Sequence, residues 1–306
     1  MIETSTVPLD EFIFASKTRK NPVGKQRHVV DAFRTVAWFN FLKKHCGATS
    51  TYQMDHRLEN QLRDKAGERD NKNKWRSYRL GRHTPSADLV DSIEVTYSGG
   101  HAVLNHVLWK TLRLDSPISS HSDLWLGELP PEIQGIVYQR DAKLRFEKKI
   151  CRSLNQTYLS MLERRVGPDA LACLIVLLRL AAENGDAHFA QSLSRRICRM
   201  LLILGPILGV MGIRTALVEY FEQEILPLST QSGRHYQFWS KGYLLAAYEL
   251  NLLANLIEED ENRAFTDTER IALRIDILDG WRGGLSRNVV TTAHTRPTKV
   301  PEQALV

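Results

Sequence analysis

NKWRSYRLGRHTPSADLVDSI, residues 73–93, decides how the chain is read. Up to Leu80 it reads as a short basic helix. Gly81 stops that helix, a tight turn follows, and Pro85 opens a second helix with Thr84 as its N-cap. Trp75, Tyr78 and Leu80 are spaced to pack inward, which leaves Lys72, Lys74, Arg76, Arg79 and Arg82 on the outside. A short helix with a cationic outer face suits a major groove or a phosphate backbone.

Upstream, Val29, Val30, Phe33, Val36, Ala37 and Phe41 recur at helical spacing, with Trp38 and Leu42 widening the stripe. That helix runs to His45, with Lys43 and Lys44 in its last turn and Gly47 as its stop. Ser50 and Gln53 form a capping-box pattern that opens a second helix through Met54, Leu58 and Leu62. Asp64 to Lys74 is charged, either a solvated helix extension or a loop. Beyond Leu89 and Ile93, Ser98-Gly99-Gly100 precedes one amphipathic helix through Val103, Leu104, Val107, Leu108 and Leu112. Residues 1–28 form a basic N-terminal arm, flexible from 15 onward, where Lys17, Arg19, Lys20, Lys25 and Arg27 cluster.

Residues 33–112 resemble a divergent lambda-repressor-like helix-turn-helix domain. The resemblance is carried by Trp75, Tyr78, Gly81 and Pro85, followed by Leu89 and Ile93. In that family a short recognition helix ends at a Gly, and a Pro then opens the next helix. The upstream helices fit in number and order. One difference is the charged segment from Asp64 to Asn73, which stands where the family has a tight turn. The resemblance implies double-stranded DNA as partner and Lys72, Asn73, Lys74, Arg76, Ser77 and Arg79 as the groove-facing set. Arg and Asn can pair two-pronged with guanine and adenine edges. Arg82 and the basic arm would lie on phosphates.

Downstream, residues 117–131 are Ser-, His- and Pro-rich and mark a linker, although Trp125 and Leu126 within it call for something to pack on. Residues 132–285 read as a helical bundle. Its helices are expected at 132–164, from Pro168 to Glu183, at 186–204, at 207–225, at 236–258 and at 267–278, the last capped by Asp267. Residues 227–234 read as a loop, and the polar tail 286–306 as disordered. No hairpin signal and no fixed-period repeat stands out, so the expected fold class is all-α. The dense apolar runs from Leu171 to Leu180 and from Met200 to Ile213 suggest a surplus left over for self-association.

The 306 residues carry a formal charge of +6 that is unevenly placed. From Lys17 to Val90 there are 17 Lys and Arg against 7 Asp and Glu, while the rest of the chain holds 24 against 28. A basic head on a slightly acidic body is the footprint of a polyanion-binding protein, or simply a solvated charged surface. Cys46, Cys151, Cys173 and Cys198 stand far apart, which suggests neither disulfides nor zinc. The first residues lack the pattern of a signal peptide. The run from Met200 to Ile213, broken by Gly205, Pro206, Gly209 and Gly212, is shorter than the ~20 residues a bilayer span requires. A cytoplasmic protein without membrane contact is expected.

No nucleotide-loop, metalloprotease or nucleophile-elbow pattern is present, and no cofactor or metal is implied. His101 and His106 are off the spacing that shares a helical face, and His188 with Glu183 reads as an inter-helix turn with no partner. Glu222 and Glu224 fall on different faces. His235, Tyr236, Trp239 and Tyr243 read as core, and Glu258 to Glu261 as a solvated helix end. Three readings follow. The first is a DNA-binding regulator of bacterial or mobile-element type with a helical dimerisation or effector domain. The second is a non-enzymatic interaction component of a defence or stress system, either a homo-oligomer or bound to another protein. The third is an enzyme whose site is assembled across distant helices and leaves no local motif.

Overall fold

A computed structural model describes residues 7–17, 27–58, 74–140, 148–150, 154–230, 234–238, 240–280 and 293–297. The fold is all-α, with two small antiparallel ladders added. The chain divides into two compact units. One holds the residues up to Arg113 together with Pro206–Glu219. The other holds Leu114–Gly205 and the residues from Tyr220 on.

In the first unit the central element is α2 (Val29–His45). Nine of its residues are buried, Trp38 and Phe39 among them, because other helices surround it. A helix apolar on nearly all sides belongs inside a bundle. Around it stand α1 (Leu9–Lys17), α3 (Thr51–Arg57), α4 (Lys74–Arg79), α5 (Ala87–Glu94), α6 (Gly100–Leu104) and α7 (Val107–Thr111). Ser50 caps α3 by accepting from Gln53 N at 3.2 Å, while the Gln53 side chain reaches back to Thr49 N at 2.7 Å. Residues expected to belong to the N-terminal arm form α1, which buries Leu9, Phe12 and Ala15 and sets the Phe12 ring edge-on to Phe33 at 5.1 Å. Residues 1–6 and 18–26 of the arm lie outside the described residues. The single helix expected over Val103 to Leu112 is two helices, because His106 turns outward and accepts from Leu108 N at 3.1 Å as a new N-cap. The unit is completed by the end of α12 (Ala187–Val210) and by α13 (Arg214–Tyr220). Glu219 accepts from Leu9 N at 2.6 Å, and Asn40 donates to the Met211 carbonyl at 3.1 Å.

The second unit is built on α11 (Pro168–Glu183), buried from Ala170 through Arg179. The expected linker 117–131 is ordered against it. Within that stretch α8 (Ser122–Gly127) buries Trp125 and Leu126, and Arg179 lies over the Trp125 ring at 5.7 Å and donates to the Ser116 carbonyl at 2.6 Å. Glu183 has a partner as well, since it accepts from Ile118 N and Ser119 N. The expected helix over 132–164 is interrupted. α9 (Pro131–Val137) passes into β1 (Tyr138–Arg140), which pairs with β2 (Lys148–Ile150), and Asn155 then caps α10 (Gln156–Arg164).

Conversely, the break expected at Gly205-Pro206 is absent, and α12 runs through it. Pro206 has no N–H to give the Leu202 carbonyl one turn back; the adjacent Leu201 carbonyl accepts from Tyr243 Oη at 2.9 Å. The break falls at Gly212, which has φ +72. After α13 the chain passes through a π-helical turn (Phe221–Ile225) and a 3-10 turn (Leu226–Ser229). The expected start of a helix at Tyr236 is strand β3 (Arg234–Phe238). It pairs with β4 (Ala293–Pro297), inside the tail expected to be disordered. Helix α14 (Ser240–Asp260) follows β3, and α15 (Asp267–Asp279) is capped by Thr266 in a reciprocal capping box with Glu269, not by Asp267.

Leu171 to Leu178 and Met200 to Leu204 are buried within the unit, whereas Ile207 and Val210, further along the second run, are exposed. Glu163, itself buried, accepts from both Arg196 and Arg199, and Arg199 pairs with Asp279 at 2.8 Å. The network ties α10, α12 and α15 together. Among the described residues no helix is long and apolar enough to cross a membrane.

Candidate nucleic-acid interface

Helix α4 is held from behind by aromatic rings. Trp75 stacks on Trp38 at 6.0 Å and 15°, and Tyr78 meets Trp38 edge-on at 5.5 Å. Around them Phe39, Leu42, Met54, Leu58, Leu89 and Ile93 form one buried cluster. Burial pushes the Tyr78 hydroxyl well above its ordinary pKa. With Trp75 and Tyr78 three residues apart and both inward, Arg76 and Arg79 must face solvent.

The end of α4 is fixed as firmly. Gly81 N donates to the Tyr78 carbonyl at 2.9 Å and Arg82 N to the Ser77 carbonyl at 2.9 Å, a Schellman closure with Gly81 at φ +65. Only glycine suits this place, because a Cβ would stand 2.9 Å from Ala32 Cβ and 3.1 Å from the Ala32 carbonyl oxygen. Helix α5 begins two residues later than expected. Pro85 is buried ahead of the helix, and Ser86, not Thr84, accepts from Leu89 N at 3.4 Å.

The Thr84 hydroxyl is taken by Arg27, and this is the residue whose role the sequence concealed. Its guanidinium donates to the carbonyls of Gly81 and Asp31 and to the hydroxyls of Thr35 and Thr84, clamping the α4–α5 turn onto α2. Desolvation pushes its pKa down to about 10. Arg27 was expected on phosphates with the arm; it is a brace instead, since both of its Nη atoms are already engaged. No local signal marks the brace, because the two turn residues it holds, Gly81 and Thr84, lie 54 and 57 residues away.

Comparison with known protein families, with curated proteins and with solved structures returns no match.

Of the expected groove-facing set, Arg76 and Arg79 are exposed, as is Arg82 at the turn, and none of the three makes an ion pair among the described residues. Lys74 and Ser77 are half-buried on the flanks of the same helix. Lys72 and Asn73 lie outside the described residues, and so does the connection between α3 and α4. The following helix changes sign, with Asp88 and Asp91 exposed on α5. Among the described residues no three His, Cys, Asp or Glu side chains converge on a point that could hold a metal. Cys46, Cys173 and Cys198 are buried free thiols, and burial pushes the last two far above the ordinary thiol pKa. Cys151 lies outside the described residues.

Proposed function

We propose that this chain is a DNA-binding protein of the regulator type and that α4 with its following turn is the DNA-facing element. One observation carries the reading: Arg76, Arg79 and Arg82 are exposed and unpaired among the described residues, on a segment braced by Trp75, Tyr78 and Arg27. A surface guanidinium on a fixed backbone binds a polyanion with little ordering cost. The succession of short helices α2 to α6 also suits the lambda-repressor-like resemblance. Lys72 and Asn73, immediately before α4, join the same set by sequence. The second reading, an interaction component, is favoured by Asp88 and Asp91, since a surface of both signs suits a protein partner.

A mobility-shift series on mixed-sequence duplex DNA across salt concentrations tests the proposal. Binding is expected to weaken steeply with salt, with a log–log slope of about −0.9 per phosphate contact. Arg76→Ala with Arg79→Ala is expected to lower affinity by about 1–3 kcal/mol for each arginine that reaches a base edge. If the parent binds no DNA at low salt, or the double variant binds as well as the parent, the interaction reading takes its place.

A further inference from the structure

One face of α12 carries the pattern S-x-x-R-R-x-x-R. Ser192, Arg195, Arg196 and Arg199 stand at i, i+3, i+4 and i+7 and share a helical stripe. Like charges at this spacing repel and call for anions nearby. Among the described residues two carboxylates answer them. Buried Glu163 of α10 accepts from Arg196 Nη1 and Arg199 Nε, so both its oxygens are engaged. Asp279, in the last turn of α15, lies 2.8 Å from Arg199 Nη2. Three guanidinium groups thus face two carboxylates, all within the second unit.

These side chains line a cavity. Gln156 from α10, Ser192, Arg195, Arg196 and Arg199 from α12, and Asp279 from α15 border about 210 Å³. Arg195 is exposed and makes no ion pair among the described residues. Arg199 Nη2 is buried, and its ion pair with Asp279 aligns no hydrogen bond, so among the described residues this nitrogen has no acceptor. A buried guanidinium N–H left without one is costly. Asp279 is itself a weak partner. Its side chain is 43% exposed, which screens the pair, and a carboxylate at the C-terminal end of a helix opposes the helix dipole.

We infer that this cavity is a binding site for a small phosphate-bearing molecule, held by Arg195 and by Nη2 of Arg199, with Asp279 as the carboxylate it competes against. The lining sets the chemical class. None of the bordering residues is apolar, so a hydrophobic ligand finds no wall. The volume falls below the ~300 Å³ at which pockets for drug-sized molecules begin, which leaves room for a phosphate with a short polar substituent. A guanidinium fork matches phosphate oxygens two at a time. A tetrahedral dianion engages forks on two sides at once, where a planar carboxylate fills one. The Ser192 hydroxyl donates to the His188 carbonyl at 3.3 Å and keeps its own lone pairs for a ligand hydroxyl. Inorganic phosphate and a short phosphomonoester share this chemistry.

The inference is independent of the DNA reading, and the test separates the two. The full chain is titrated calorimetrically with sodium phosphate and, in parallel, with glycerol phosphate, at constant ionic strength set by chloride. At least one is expected to bind with a dissociation constant below about 1 mM, and the tighter of the two names the source, free phosphate or a phosphomonoester. Arg195→Gln should weaken that binding about tenfold and leave the melt of the phosphate-free chain unchanged, since the side chain is exposed. Asp279→Asn should tighten it about tenfold, because a competing charge leaves the cavity. Shifts in opposite directions cannot come from a general loss of folding, and a purely structural cluster gives neither. Arg76→Ala with Arg79→Ala should leave the phosphate affinity as it is. Binding weaker than about 1 mM for both compounds, indifference to Arg195→Gln, no tightening in Asp279→Asn, or loss of binding in the α4 double variant overturns the inference.

Discussion

Within the span of a few residues, structural and surface roles alternate along α4 with the helical period. Trp75→Ala removes the ring stacked on Trp38 and opens a cavity in the buried cluster, which typically costs about 3–5 kcal/mol. Gly81→Ala meets a positive φ and the backbone of α2 at once, and is expected to cost about 2 kcal/mol or more. By contrast, Arg76→Ala and Arg79→Ala remove exposed side chains with no partner among the described residues and should leave the melt within about 0.5 kcal/mol. Thermal melts of the variants check the contrast, and equal losses throughout would mean that the arginines are structural. The inward set was legible in the sequence because Trp75, Tyr78, Leu89 and Ile93 follow helical spacing. The role of Arg27 was not, because a side chain that bridges 54 residues leaves no periodic trace.

For elements, legibility followed the range of the deciding contacts. Helices α2 and α11 were read correctly because their own apolar spacing, caps and glycine stops define them. The ladders β1–β2 and β3–β4 were missed, since strand pairing depends on a partner, and β3 finds its partner about sixty residues on. The turn joining α14 to α15 was also misread. Glu258, expected to be solvated, accepts from Arg270 Nε and Nη2 at 3.0 and 2.7 Å and from Phe265 N at 3.0 Å. Glu269 accepts from Thr266 N, the Thr266 hydroxyl and Arg263. These bonds, led by Arg270 for Glu258 and by the Thr266 backbone for Glu269, hold both carboxyls down to about 2. A carboxyl depressed in the folded chain stabilises it above its unfolded value of 4.5 and loses that effect as pH falls toward 2. The protection of the Phe265 amide against exchange, relative to the unstructured rate at the same pH, should therefore fall between about pH 4.5 and pH 2. Glu258→Gln should already be weakly protected there at neutral pH and show a flatter profile of protection against pH. An unchanged profile would show that the turn does not depend on that carboxylate.

For the whole molecule, the division of the chain does not follow sequence order. Pro206–Glu219 belongs with the residues before Arg113, where Glu219 caps Leu9 N and the Met211 carbonyl receives Asn40. A boundary drawn in the sequence at 117–131 gives no sign of that return, because only contacts across about 170 residues specify it. A fragment ending at Arg113 is thus expected to melt below the same unit in the intact chain, as followed by near-ultraviolet circular dichroism. An equal melting temperature would show that the returning segment adds no stability. The signal for that measurement is already built in. Trp38 and Trp75 stack in nearly parallel planes with centroids 6.0 Å apart, both fully buried, and among the described residues neither indole N–H has an acceptor. Two identical chromophores so close couple their transitions, so the first unit carries its own excitonic signature, distinct from the remaining tryptophans. Each substitution there, and each contact with a ligand, can be followed optically without attaching a label.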